Sequence, residues 1–210
     1  MRFFMKNLNY LSLKSISKIF TFVYFALIIS ACSKTHDKKP ADSEIYKNSE
    51  LGWEMKIIQG WNKMSEEKLK QMTNKGKSKI EESMQIEIDN VDATKYLLCV
   101  EKGLNQFITN ITKQTKEEYD ESLSAMKDIL LQTYTSNGLE VNVIENPDIN
   151  IDGVNFKHTT YKLSSQGNSF EQNFYTTYHK GYLFVATLTT YKDDIKKEIE
   201  DAFKNSKFQK

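Results

Sequence analysis

Between Leu139 and Tyr191 the chain alternates apolar and polar residues and is cut at short intervals by a turn pair ending in glycine. Val141, Val143 and Glu145 alternate with Asn142 and Ile144, and Ile149 and Ile151 lead into Asp152-Gly153. Val154 to Leu163 returns, Gln166-Gly167-Asn168 turns again, Phe170 to Tyr178 follows, and Lys180-Gly181 opens Tyr182 to Tyr191. Period-two alternation places successive side chains on opposite faces of a strand. A tight Asp-Gly type turn joins antiparallel neighbours. This stretch is therefore committed to an antiparallel meander.

Helical signals lie on either side of it. Ser65 is positioned as an N-cap, with Glu66 and Glu67 in the first turn, where the helix dipole favours acids. This helix is predicted to run to about Thr73 and to resume after Gly76 as far as Met84. Thr115-Lys116-Glu117-Glu118 matches a capping box, and Tyr119, Leu123, Met126, Leu130 and Tyr134 recur behind it at helical spacing. Asn137-Gly138 ends that helix in a left-handed turn. Asp193 is predicted to cap a last helix carrying Ile195, Ile199, Ala202 and Phe203 on one face. Strands are further expected over Trp53 to Ile57, Tyr96 to Glu101 and Phe107 to Thr112. Hairpin-joined strands between separated helices predict an α+β fold.

The amino terminus reads differently. Arg2, Lys6, Lys14 and Lys18 precede an apolar run from Ile19 to Ile29, and Ser30 and Ala31 stand before Cys32. A basic start, a short apolar core and small residues mark a secretory signal, and the apolar run is too short to span a bilayer. A cysteine directly after the small residues resembles the lipobox of bacterial lipoproteins. The resemblance implies cleavage after Ala31, lipidation of Cys32 and an anchor in the cell envelope; Ser33 favours the outer over the inner membrane. The expected organisation is a signal peptide over 1–31, a lipidated tether over 32–44 and a single domain over 45–210. Without residues 1–32 the chain holds 25 Lys+Arg against 28 Asp+Glu, a net charge of −3. Such a balance leaves no electrostatic footprint for nucleic acid.

The order of elements carries a second resemblance. Tyr46-Lys47-Asn48, then Gly52-Trp53-Glu54-Met55 and Gly60-Trp61, resembles the opening hairpin of PsbP-like domains, with Gln59 where the family has a Pro-like residue. The long second helix, the Ile151-Asp152-Gly153 hairpin, the meander and the closing helix fit the same pattern over Tyr46 to Phe208. The resemblance implies a three-layer α/β/α sandwich around a mainly antiparallel sheet. It also implies a binding or assembly module without shared catalytic residues.

The residues that could carry chemistry are few. Cys99 lies in the apolar run Tyr96 to Val100 and reads as a buried small hydrophobe, because free cysteine is among the most buried residue types. Asp148-Ile149-Asn150-Ile151-Asp152-Gly153 begins like a calcium loop, but the twelfth position, which needs a bidentate acid, is Thr159. The run is read as a hairpin. His158 and His179 lack the ligand spacing of a metal site and are read as surface or rim histidines. In Phe170 to Tyr178, Phe170, Phe174 and Tyr178 fall on one face and are assigned to core beneath the long helix. Tyr175 falls on the other and is a candidate for a partner surface. No catalytic residue, metal or cofactor is expected. The functional expectation is a non-enzymatic envelope module that binds an envelope protein. The alternatives are a carrier of a small apolar or lipidic ligand and a hydrolase using His158 or His179.

Overall fold

The structure is a computed structural model and describes residues 44–85 and 94–209. Cys32 and the expected signal and tether, apart from Glu44, lie outside the described residues. The elements in chain order are β1 (Ile45–Asn48), β2 (Trp53–Lys56), β3 (Asn62–Lys63), α1 (Glu66–Met84), β4 (Thr94–Lys102) and β5 (Asn105–Lys113). They continue with α2 (Lys116–Ser136), β6 (Glu140–Ile151), β7 (Val154–Ser165), β8 (Asn168–His179), β9 (Tyr182–Thr190), α3 (Asp193–Lys204) and β10 (Lys207–Phe208).

Seven strands form one sheet in the order β3-β4-β5-β9-β8-β7-β6, and β1-β2-β10 form a small second sheet; the pairings are antiparallel. The meander from β6 to β9 is laid down in chain order, as its turns require. Asp152, Gln166 and Lys180 all take positive φ near 50°, each followed by a positive-φ glycine, so all three hairpins close with two-residue turns.

Helix ends follow the sequence closely. The Thr115 hydroxyl accepts from Glu118 N at 3.2 Å and the Glu118 carboxylate accepts from Thr115 N at 2.8 Å, completing the capping box. At the far end of α2, Gly138 N donates to Thr135 O and Leu139 N to Tyr134 O. With Gly138 at φ +77°, this is a Schellman closure.

Two helix expectations are corrected. α1 runs without a break through Gly76, because Met72, Gly76 and Ile80 share its buried line. Packing of that line outweighs the roughly 1 kcal/mol penalty of glycine in a helix. In α3, Asp193 is the first helical residue rather than the cap. Lys192 stands at the N-cap with no side-chain bond, and Asp193 and Asp194 act on the helix dipole instead.

Three layers result. On one face of the large sheet α2 and the end of α1 bury Ile80, Tyr134, Tyr161, Phe174 and Val185. The start of α1 covers Cys99 and Ile108 on the same side. On the opposite face α3 and the small sheet enclose Trp53, Phe107, Phe156, Phe184 and Phe203. Each fully buried side chain of this size contributes about 1.5–3 kcal/mol, so the two apolar layers dominate the stability. The strand β10 has no counterpart in the sequence reading. Its two residues pair with β2, and the contact is decided at long range: Phe208 N donates to Asp152 Oδ2 at 2.8 Å, and Gln209 N to Gly52 O at 2.7 Å.

Candidate functional site

The register of β6, β7 and β8 gathers polar side chains on the α3 face of the sheet. Asn146 stands opposite His158, and His158 opposite Tyr175. Thr160 stands opposite Asn173. The Asn146 amide donates to Thr160 Oγ1 at 2.9 Å, and Thr160 donates to Asn173 Oδ1 at 2.7 Å. His158 Nε2 lies 3.2 Å from the same Asn173 oxygen. The imidazole is stacked on the Tyr175 ring. Above them α3 brings Glu200, whose carboxylate accepts from the Tyr175 hydroxyl at 2.8 Å. Lys204 pairs with Glu200 at 3.1 Å.

Each electrostatic effect has a visible cause. Burial lowers the pKa of His158 below 6.5, opposed by its bond to Asn173. Burial raises Tyr175, and the Glu200 charge adds to the rise. One step along the sheet, burial pushes Glu171 up, but the hydrogen bonds and charges of Lys196 and Lys162 outweigh it and hold the carboxyl below 4.5. The Tyr175 phenol therefore stays protonated as a donor, and His158 is neutral at neutral pH.

Tyr175 does not present itself to a partner. It is 0% exposed and packs at a tilt against Phe203 of α3, with centroids 5.2 Å apart and planes 52° from parallel. The sequence placed it correctly on the face away from α2. It did not show that α3 folds back over that face. Phe170 and Phe174 lie in the core beneath α2, as expected, with Tyr178 packed against its rim.

The other singled-out residues are also tied into the fold. His179, half-buried, lies with Nε2 3.2 Å from Leu51 O, and its ring meets Phe208 edge-on at 5.5 Å. Burial lowers its pKa, opposed by the Leu51 bond. Cys99 is buried, and burial pushes its thiol up to about 12, so it is no ready thiolate. In the calcium-like run, Asp148 pairs with Lys157 at 2.8 Å and Asn150 accepts from Gly153 N at 3.0 Å. Asp152 turns to Phe208 N and Lys207. The carboxylates thus serve separate partners around a hairpin.

Two clefts open beside these clusters. A groove of about 770 Å3 lies where β6 to β9 reach the start of α3. Phe170 and Tyr191 stack at 5.2 Å along it, next to Val141 and Leu163, with Lys162 and Glu171 on its polar side. A smaller cleft of about 330 Å3 lies by Asn155, Thr177, His179 and Phe208. Sequence reading missed Asn173, Thr160, Glu200 and Tyr191 as members of shared sites. Only the alternation along each strand was visible, and which strands lie side by side sets their meeting.

No protein-family model matches the chain, and no curated protein matches it in sequence. Among solved structures it is similar to the solution structure of cyanobacterial PsbP (CyanoP) from Synechocystis sp. PCC 6803. The TM-score is 0.51 at 13% identity, over 86% of this chain and 99% of that one. A crystal structure from Bacteroides thetaiotaomicron superposes at TM-score 0.43 and 12% identity, over 80% of this chain and 49% of that one. The fold is PsbP-like.

Proposed function

We propose that this chain is a lipid-anchored, non-enzymatic binding module of the bacterial cell envelope, held by Cys32 and recognising another envelope protein. The observation that carries the binding role is the groove at the ends of β6 to β9. There half-buried Tyr191 stacks on the buried Phe170 ring, with Lys162, Glu171 and Lys192 lining the same groove. Aromatic anchors inside a charged rim are the composition of protein interfaces. The histidines support the same reading. His179 Nε2 is held by Leu51 O, and His158 Nε2 lies 3.2 Å from Asn173 Oδ1 and a longer 3.5 Å from the Thr160 hydroxyl, whose proton is given to Asn173 at 2.7 Å. The envelope location rests on the run from Leu27 to Cys32.

The test is in-cell crosslinking of the intact chain with affinity capture, run beside Tyr191→Ser. A partner captured reproducibly by the natural chain and lost from the variant supports the role. Identical captures from both chains remove the groove from it.

The groove's size favours one further reading. About 770 Å3 falls within the range of small-molecule sites. On that reading the module carries a small apolar or lipidic ligand against Phe170 and Tyr191. Native mass spectrometry of the chain purified from cells decides it: a retained mass lost from Tyr191→Ser supports the carrier, and bare protein in both rejects it.

A further inference from the structure

β6 is the last strand of the large sheet, and among the described residues only β7 pairs with it. Its free edge can be read group by group. Ile151 and Val154 flank the two-residue Asp152-Gly153 turn, so each directs its N–H and C=O at the other. Along β7 the alternate residues from Val154 onward, including Thr160 and Lys162, share that direction. Their partners Ile144 and Asn142 are therefore spent on β7. Val141, Val143 and Glu145 are left with N–H and C=O pointing away from the sheet.

The row stops abruptly at both ends. Leu139 N is already given to Tyr134 O in the closure of α2. Pro147 has no N–H, and a bulge between Asn146 and Ile149 bends the strand there. These two stops, Leu139 and Pro147, stand at equal distances from Val143 along the chain. The free edge is thus symmetric about Val143.

We propose that β6 is a self-pairing edge, and that its partner is a second copy of this chain joined about a twofold axis through Val143. In that register Val143 faces Val143 of the second copy and Val141 faces Glu145, so every free group in the row finds a mate. Sliding the copies by two residues either way places Leu139 or Pro147 in the ladder, where an N–H is missing. An unrelated peptide has no need of a centre, whereas a twofold requires one.

The side chains agree with this pairing. Val141 and Val143 are half-buried on the α2 face. Leu131, 37% exposed, stands one turn beyond Lys127 on α2. Lys127 holds Glu145 at 2.7 Å, and the Lys127 bond is the main cause of that carboxyl's lowered pKa. Glu145 would then face a valine with its charge already matched, and like charges do not meet across the ladder. On the other face Asn146 of one copy would face Glu140 of the second. The second copy would thereby wall the open side of the groove that Glu140, Val141 and Asn142 line. The pairing is independent of what the groove binds.

Cysteine substitution in the intact chain, in the membranes of cells producing it, tests the register. Hydrogen-bonded pairs sit at about 5.5 Å between Cα atoms, within disulfide reach. Mild oxidation is expected to convert Val143→Cys to a covalent dimer with a yield about tenfold that of Glu145→Cys, whose thiols lie four positions apart. The natural chain controls for Cys32 and Cys99. Val143→Pro removes a free edge N–H where proline is tolerated. It is expected to abolish the dimer seen by light scattering of detergent-solubilised protein while the circular dichroism spectrum is retained. If Val143→Pro unfolds, Val143→Lys serves, placing two charges on the axis. A chain that is monomeric at all concentrations, or equal crosslinking of Val143→Cys and Glu145→Cys, overturns the proposal.

Discussion

The imidazole of His158 lies almost flat on the Tyr175 ring, with centroids 4.3 Å apart and planes 21° from parallel. The two residues are directly opposite on β7 and β8, so the stack is set by strand register. Because Tyr175 also reaches Glu200, the pair fastens α3 to the sheet.

That stack predicts a pH dependence with a definite sign. Burial lowers the pKa of both His158 and His179 below 6.5. The unfolded chain then binds more protons than the folded one as pH falls through the ordinary histidine range. The histidine contribution is fully present above about pH 6.5 and is lost as pH drops through the folded values. Glu145 and Glu171, whose pKa values are lowered, extend the loss below pH 4.5. Thermal melts of natural chain and His158→Gln/His179→Gln should diverge between pH 7.5 and pH 5, the variant showing the flatter profile. Parallel profiles would show that neither histidine is protonated on unfolding.

Tyr175→Phe should keep the ring contacts with His158 and Phe203 and lose the bond to Glu200. A hydrogen bond to a charged group contributes about 1.5–3 kcal/mol. Tyr175→Ala also opens a hole under Phe203, for a loss of about 3–5 kcal/mol by comparison with other large aromatics. Denaturant titration ranks the two. If both variants match the natural chain, α3 is not held as described.

Asp152 joins the β6–β7 turn to the carboxyl-terminal strand through Phe208 N and Lys207. Asp152→Gly keeps a residue that accepts positive φ and removes only the carboxylate. The expected effect is loosening of β10, read as faster hydrogen exchange at Phe208 and Gln209, with a stability loss of about 1–2 kcal/mol. Unchanged exchange would place the anchoring in the Phe208 side chain alone.

Lipidation makes its own prediction. Cells given an alkyne fatty acid should label the natural chain, and Cys32→Ser should lose both the label and sedimentation with membranes. Label that persists in Cys32→Ser would remove the envelope anchor from the proposed function.

Much of the fold was legible in order. The Asp-Gly and Lys-Gly turns, the Thr115–Glu118 box and the Asn137-Gly138 ending are local signals, each set by a few neighbouring residues and the φ they accept. They fixed the meander, α2 and its ends, and with them the α+β class. Gly76 misled because a local penalty was read without the packing of Met72 and Ile80 that overrides it.

The site was decided elsewhere. Sequence alone determined that Tyr175 lies on the face away from α2 and that Cys99 is a core residue. It did not determine that α3 folds back to bury Tyr175. Nor did it determine that Asn146, His158 and Asn173 converge, or that β6 ends the sheet with Val143 at the middle of its free row. Those facts follow from strand order and from contacts between residues far apart in the chain. Turn and helix signals act over a few residues, whereas such pairings are chosen by the burial of whole faces, which only the complete fold provides.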